Sequence, residues 1–212
     1  MLPKIIFSSL LLIVFWGTPV IAYQAIDAEP TAPLEPIEIT IGDSEVYYLG
    51  NLQQFPDVFE FTLTKSETLD IALRGLPKTD TQFSGILVQK QEGVFVELRR
   101  LVASESEWLV KRDKLTGSKY RDGGSFSITL EPGTYRFEVA NENNEGKYLL
   151  VIAGLEKVDR YGETLAAIKA VNQFYGNSSL GMLRAPLVRY TLGIPLVLIL
   201  LSGTIYLTRR RR

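Results

Sequence analysis

Phe126-Ser127-Ile128-Thr129-Leu130-Glu131-Pro132-Gly133-Thr134-Tyr135-Arg136-Phe137-Glu138-Val139 is the stretch on which the fold class turns. Apolar side chains fall on alternate positions on both sides of a tight-turn signal, the period of half-buried β-strands. Pro132 presets φ for the first corner of a turn and Gly133 tolerates positive φ at the second. The spacing predicts a β-hairpin closed by Glu131 to Thr134. Downstream, the polar loop Asn141 to Gly146 leads into Tyr148 to Ile152. Upstream, Ile37, Ile39 and Ile41 alternate with Glu38 and Thr40. Val58 to Leu63 and Leu69 to Leu73 follow, joined by Thr64 to Glu67, and Phe83 to Val88 and Val94 to Leu98 flank a second hairpin connection at Gln89 to Gly93. About eight to ten short strands within about 120 residues predict an all-β sandwich over residues 37–155, with one solvated face per sheet. A fragment of that size is expected to fold alone.

Outside this body the pattern changes. Residues 23–36 hold Pro30, Pro33 and Pro36 and lack apolar periodicity, which reads as a Pro-rich extended lead-in. Residues 156–186 read as an amphipathic helix and juxtamembrane stalk. Val158, Tyr161, Leu165, Ile168, Val171 and Tyr175 make one apolar stripe, with Asn172 off it and Gly176-Asn177 as the stop. The stripe is expected to pack on the sandwich or to lie at a membrane interface.

The two ends predict a location. Lys4, the apolar run Ile5 to Trp16 and Val20-Ile21-Ala22 have the layout of a signal peptide over residues 1–22, with cleavage after Ala22. Residues 187–208 read as a transmembrane helix: Tyr190 to Leu207 is free of charge and about long enough to cross the ~30 Å hydrocarbon layer. Arg209, Arg210, Arg211 and Arg212 form a basic tail at residues 209–212 that belongs on the cytoplasmic side. The expected topology is single-pass type I in the cell membrane, with the sandwich outside the cytoplasm.

Composition narrows the chemistry. The 212 residues include no Cys and no His, which removes thiolate metal sites, disulfides and the commonest general base near neutral pH. A Ser-His-Asp arrangement is therefore excluded. Ser118-Lys119 is the nearest approach to a nucleophile–base pair, and Asp122-Gly123-Gly124 reads as a turn before a strand rather than a phosphate loop. Asp43, Asp57, Asp80 and Asp122 sit in predicted loops without the spacing of a calcium loop. No catalytic residue, metal ligand or cofactor is expected. All acidic residues lie between Tyr23 and Arg189, where they outnumber the basic ones, and that balance argues against nucleic acid as a partner. Against this acidic background Lys111, Arg112, Lys114, Lys119 and Arg121 make a basic segment, read as a loop crossing a sandwich edge. With Trp108 upstream as a stacking surface, these six residues are the candidate binding site for an anionic surface, an acidic partner or a glycan. Asn177-Ser178-Ser179 matches the N-glycosylation acceptor pattern.

A resemblance adds to this reading. FSITLEPGTYRFEVANENNEGKYLLVIAG is similar to the last strands of bacterial pre-peptidase C-terminal (PPC) domains, with an aliphatic strand, a Pro-Gly turn, a Tyr-rich strand and a final Tyr-x-Leu strand. DSEVYYLGNLQQFPDVFEFTLTKSETLDIALRG resembles that family's opening. The resemblance covers about residues 40–153 and implies a jelly-roll-like antiparallel β-sandwich, usually noncatalytic, that assists secretion, localisation or substrate binding. The sandwich is expected to be the main exported body, and not an appendage to a peptidase. The expected function is a membrane-anchored extracytoplasmic module, in contact with the lipid bilayer, that binds or scaffolds a protein or glycan. The alternative is an accessory subunit of a larger membrane protein complex.

Overall fold

Alternation on the strands places one apolar row of each sheet against the other. In the computed structural model, which describes residues 23–28, 35–42, 45–105, 107–154 and 161–191, two mixed sheets pack as a sandwich. The described strands are β1 (Tyr23–Asp27), β2 (Ile37–Glu38), β3 (Glu45–Gln53), β4 (Asp57–Leu63), β5 (Glu67–Gly75), β6 (Ser84–Gln91), β7 (Val94–Leu101), β8 (Val110–Arg112), β9 (Lys119–Leu130), β10 (Gly133–Ala140) and β11 (Glu145–Gly154). One sheet has the order β1-β3-β11-β5-β9-β8 and the other β2-β4-β10-β6-β7. Helix α1 (Tyr161–Phe174), a 3-10 turn (Ser179–Arg184) and helical residues 186–191 follow. The proposed signal peptide, residues 192–208 of the proposed span, the arginine tail and Val158 lie outside the described residues. Among the described residues no helix is long and apolar enough to cross a membrane.

Consecutive strands mostly cross from one sheet to the other, and this corrects the reading of the key stretch. β9 pairs with β5 and β8, whereas β10 pairs with β4 and β6. Glu131 to Thr134 is therefore an arch between sheets and not a hairpin. Tyr135 donates its hydroxyl proton to the Glu131 carbonyl at 2.5 Å and holds the arch. Turn chemistry sets where a chain reverses; which strand each edge then meets depends on packing across the core. The second hairpin is present: Gln91 pairs with Val94 across Glu92 and Gly93, both at positive φ, as a two-residue type I′ turn requires.

The sheets are not purely antiparallel. β1 runs parallel to β3, and β2 parallel to β4. The chain alternates between sheets here, so two successive reversals bring it back to the same sheet in the same direction. The lead-in is corrected as well, because its first five residues form β1 and Ala28 is buried.

Phe59, Phe61, Leu73, Phe83, Phe137 and Tyr148 are fully buried or nearly so between the sheets. A second apolar layer lies on the outer face of the six-stranded sheet. There Tyr47, Leu49, Leu149 and Val151 pack against Ile168 and Val171 of α1. The expectation of one solvated face per sheet fails at β3 and β11, whose centres are buried on both sides. The cause was visible as the unbroken apolar runs Tyr47-Tyr48-Leu49 and Tyr148 to Ala153, which lack the polar alternate positions of a one-sided strand. The helix stripe is rotated from the expected one: Thr164, Ala167, Ile168, Val171, Asn172 and Tyr175 are buried, a spacing of three and four. Gly176 at positive φ ends the helix, with Asn177 N–H bonding back to the Asn172 carbonyl at 3.0 Å.

Two outcomes follow. Phe137→Ala should destabilise the protein by about 3–5 kcal/mol in denaturant melts, since the whole ring is lost from the core. A fragment of residues 35–155 lacks β1 and α1 and leaves the second apolar layer bare. It should bind a hydrophobic dye and melt less cooperatively than residues 23–191; equal behaviour of the two fragments would refute this second core.

Candidate functional site

Residues 108–121 do not form a loop. Val110, Lys111 and Arg112 pair with Arg121, Tyr120 and Lys119, so β8 and β9 make a hairpin at the sheet edge. Its tip is built on Asp113. The Asp113 N–H donates to the Ser118 carbonyl at 2.7 Å, and Oδ1 accepts from the Thr116 N–H at 2.6 Å and the Thr116 hydroxyl at 3.0 Å. Gly117 takes φ +68° and lies so close to the Arg184 backbone that a Cβ would overlap it.

The six candidate residues divide. Trp108 is only 2 % exposed and packs into the core against Phe83, over Gly75 and Gly123, with Nε1–H donating to the Ala103 carbonyl at 2.9 Å. It offers no stacking surface, and a Cβ at Gly123 would occupy the space of its ring. Lys111 pairs with Asp122, and Arg121 pairs with Asp80 while donating to the Thr79 carbonyl at 2.7 Å. Arg112 donates to the Gly117 carbonyl at 3.0 Å. Arg112, Lys114 and Lys119 are exposed around the tip. The basic segment is thus gathered on one hairpin, but Lys111 and Arg121 are engaged and Trp108 belongs to the core.

Beneath the tip lies an ion pair that the sequence reading did not single out. Arg74 Nη1 meets Asp113 Oδ2 at 2.5 Å, with both side chains nearly removed from water. The guanidinium lies 4.5 Å from the Tyr120 ring centroid and 5.4 Å from that of Tyr47. The Tyr47 hydroxyl sits 3.0 Å from Glu45 Oε1 and 3.5 Å from Asp113 Oδ2, and the buried Tyr175 hydroxyl has no partner of hydrogen-bonding geometry. Burial, then the Asp113 and Glu45 charges, push the Tyr47 phenol well above its ordinary range. Burial opposes the Arg74 charge, but Tyr47 and Asp113 outweigh it and raise its pKa. Burial, with Glu45 and Asp113 behind it, lifts Tyr23 to about 12. Tyr23, Tyr47 and Arg74 therefore keep their protons at neutral pH. The only sequence signal for it was an Arg on β5 at a sheet position flanked by apolar neighbours.

Ser118 is buried and donates to Asn172 Oδ1 at 2.7 Å, while Lys119 points to solvent, so the two do not form a catalytic pair. Asn177 Nδ2 donates to Ser118 Oγ at 3.0 Å. A glycan on that nitrogen would replace one of its two N–H donors, which serve Ser118 Oγ and Asn172 Oδ1 at a half-buried position. The predicted loop carboxylates are also dispersed. Asp80 and Asp122 hold the ion pairs above, Asp57 is buried, and Asp43 lies outside the described residues. Among the described residues no three acidic groups gather to hold a metal. A shallow hollow lined by Thr40, Ile41, Gly42, Val46, Tyr48, Ile152 and Gly154 carries no carboxylate or amine.

Asp57 forms a second buried polar contact, accepting from the Tyr148 hydroxyl at 2.6 Å on Oδ2 and leaving Oδ1 unpartnered. Burial raises its pKa above the ordinary 3.8, and the Tyr148 bond opposes the shift.

No protein-family model matches this chain, and no curated protein matches it. Solved structures do. The pre-peptidase C-terminal domain of a collagenase from Bacillus anthracis is 14 % identical with a TM-score of 0.38, covering 59 % of this chain and 99 % of that one. PliG of Aeromonas hydrophila, a periplasmic inhibitor of g-type lysozyme, is 8 % identical with a TM-score of 0.37, covering 63 % and 99 %. A β-glucosidase from Paenibacillus barengoltzii is 12 % identical with a TM-score of 0.26, and only 13 % of that chain is covered. The loose PPC-like resemblance read from the sequence is thus met over part of the chain.

Asp113→Ala should cost about 3–5 kcal/mol in an equilibrium melt, because it leaves Arg74 charged, buried and unpaired. Replacing both partners, as Arg74→Met with Asp113→Leu, should cost less than the two single changes summed; strict additivity would remove the pair from the account. Asp57 predicts a pH dependence of the opposite sign to that of a salt-bridged carboxylate. Its folded pKa lies above its unfolded one, so its contribution is most favourable below the unfolded value and declines as pH rises toward the folded pKa. The Tm advantage of Asp57→Asn over the parent should therefore grow as pH rises above the ordinary 3.8 and level off once the folded carboxyl is ionised. A constant difference would place the carboxylate in water.

Proposed function

We propose that this protein is a membrane-anchored extracytoplasmic β-sandwich, jelly-roll-like in topology, that binds a protein partner without catalysis. The carrying observation is the path of its C-terminal third. Helix α1, the 3-10 turn and residues 186–191 pack on the outer face of the six-stranded sheet through Ile168, Val171, Ala185 and Val188. They bring the chain at Tyr190 into a charge-free apolar run that ends in four arginines. That arrangement supports a single-pass anchor with its basic tail in the cytoplasm. The jelly-roll reading rests on strand order: β3, β11, β5 and β9 are the first, eighth, third and sixth of eight long strands, and β4, β10, β6 and β7 complete them.

Noncatalytic binding is supported by the sealing of the buried titratable groups. Arg74–Asp113 and Asp57–Tyr148 face the protein interior, where no substrate meets them. A protein partner is favoured over a glycan because Trp108 is withdrawn into the core, while among the described residues β7 leaves an open sheet edge. On that edge Val94 is 62 % and Val96 41 % exposed. An unpaired apolar strand edge accepts an extended segment through main-chain hydrogen bonds. The alternative reading as an accessory subunit would use the same edge toward a membrane neighbour.

Protease added to intact cells or spheroplasts should remove the sandwich and spare a C-terminal tag; protection of the sandwich would overturn the topology. Photo-crosslinking from β7 in native membranes should give a discrete protein adduct that Val96→Lys abolishes. Adducts unchanged by that substitution would remove the edge from the binding surface.

A further inference from the structure

Three features that the anchored reading leaves unused meet at one end of the sandwich. The first is the 3-10 turn. Residues three apart in a 3-10 helix eclipse one another, so Leu180 and Leu183 share a face, and they are 75 % and 51 % exposed. The second is the segment after it. Arg189 donates from Nε to the Leu183 carbonyl at 3.0 Å, which sets Arg189 beside that face, and the next residue, Tyr190, is 67 % exposed. The third is the β8–β9 tip, whose Gly117 abuts the Arg184 backbone and which carries Arg112, Lys114 and Lys119.

These features are fixed to one another. Ala185 and Val188 are buried beneath the segment, and Asn177 is bonded to Ser118 at the hairpin tip. The expected stalk is therefore a docked element and not a tether. Charge separates this end from the rest. No Asp or Glu follows Glu163 in the sequence, while Lys169, Arg184 and Arg189 do, and the apolar run begins at Tyr190.

We infer that the exposed face of residues 180–190, rimmed by Lys114, Lys119 and Arg184, rests on the anionic surface of the bilayer that anchors the chain. Leu180, Leu183 and Tyr190 enter the headgroup boundary, and the basic rim meets lipid phosphates. Leucine and an amphipathic ring inside a cationic rim are the composition of a face that lies on an interface containing anionic lipid. The sandwich is then held in one orientation, with the arch at Pro132 and the β6–β7 turn directed away from the lipid. Gln89 of β6 pairs with Tyr135 beside that arch, at the opposite end of β9 from Lys119. A strand of that length separates the two ends by roughly 35 Å.

The inference rests on the anchored reading, and one experiment separates them. The absence of cysteine allows single labels on the full-length chain: Leu180→Cys, Leu183→Cys or Glu92→Cys, each carrying an environment-sensitive fluorophore. Each is reconstituted in phosphatidylcholine–phosphatidylglycerol vesicles. Labels at 180 and 183 should shift to the blue and be quenched by lipid spin-labelled just below the headgroup, while the label at 92 stays in water. Reversing Lys114, Lys119 and Arg184 to Glu should return the 180 label toward the aqueous emission, with the melting transition retained. If labels 180 and 183 are as open to iodide as label 92 while the protein resists carbonate extraction, the anchor stands and the lipid-contacting face is refuted. If carbonate removes the protein from the vesicles, the anchored reading falls and this inference falls with it.

Discussion

Two strands that are apolar on both faces constrain everything else in this molecule. β3 and β11 sit side by side in the six-stranded sheet, with Tyr48, Tyr148, Leu150 and Ile152 turned to the sandwich core and Tyr47, Leu49, Leu149 and Val151 turned away. A two-layer sandwich would leave the second set in water, against the drive to remove apolar area from solvent. The chain meets that demand with its two flanks. β1 extends the edge beside β3, and α1 with the following segment covers the face. The apparent lead-in and stalk are thus parts of the folded body.

The Arg74–Asp113 pair joins this outer layer to the sheet edge. Arg74 comes from β5, Asp113 from the β8–β9 tip, and the surrounding tyrosines from β1, β3, β9 and the end of α1. Desolvating two charges is expensive, so such a pair adds less net stability than it adds constraint on alternative arrangements. Here it is bonded further through Thr116, and the tip it organises touches both Asn177 and Arg184. The candidate binding segment is consequently a rigid corner. Its Trp is core and two of its cations are engaged, which leaves Arg112, Lys114 and Lys119 to face outward beside the C-terminal segment.

Part of the site was legible before the structure and part was not. The cationic cluster at Lys111–Arg121 was, because charges close in sequence stay close in space. Trp108 was misread because an aromatic before a basic run looks alike whether it faces solvent or core. What decides is the room left by Gly75 and Gly123 on two other strands, distant in sequence. Asn172 was placed off the helix stripe because a polar side chain is not expected to be buried. It is buried because Ser118 and the Ile168 carbonyl satisfy its amide.

Apart from β3 and β8, the sequence alone is enough for the β class, the strands between Val58 and Ile152, a hairpin within Gln89–Gly93, the helix stop at Gly176, and the lack of histidine and cysteine. These are local properties: side-chain period, backbone freedom at glycine and residue identity. Tertiary packing was needed to decide that Glu131–Thr134 is an arch, that β1 pairs in parallel with β3 and β2 with β4, that Arg74 finds Asp113, and that the C-terminal segment docks. Each of those depends on which distant surfaces bury one another, and a period-two pattern is silent on that because every strand carrying it offers the same apolar face.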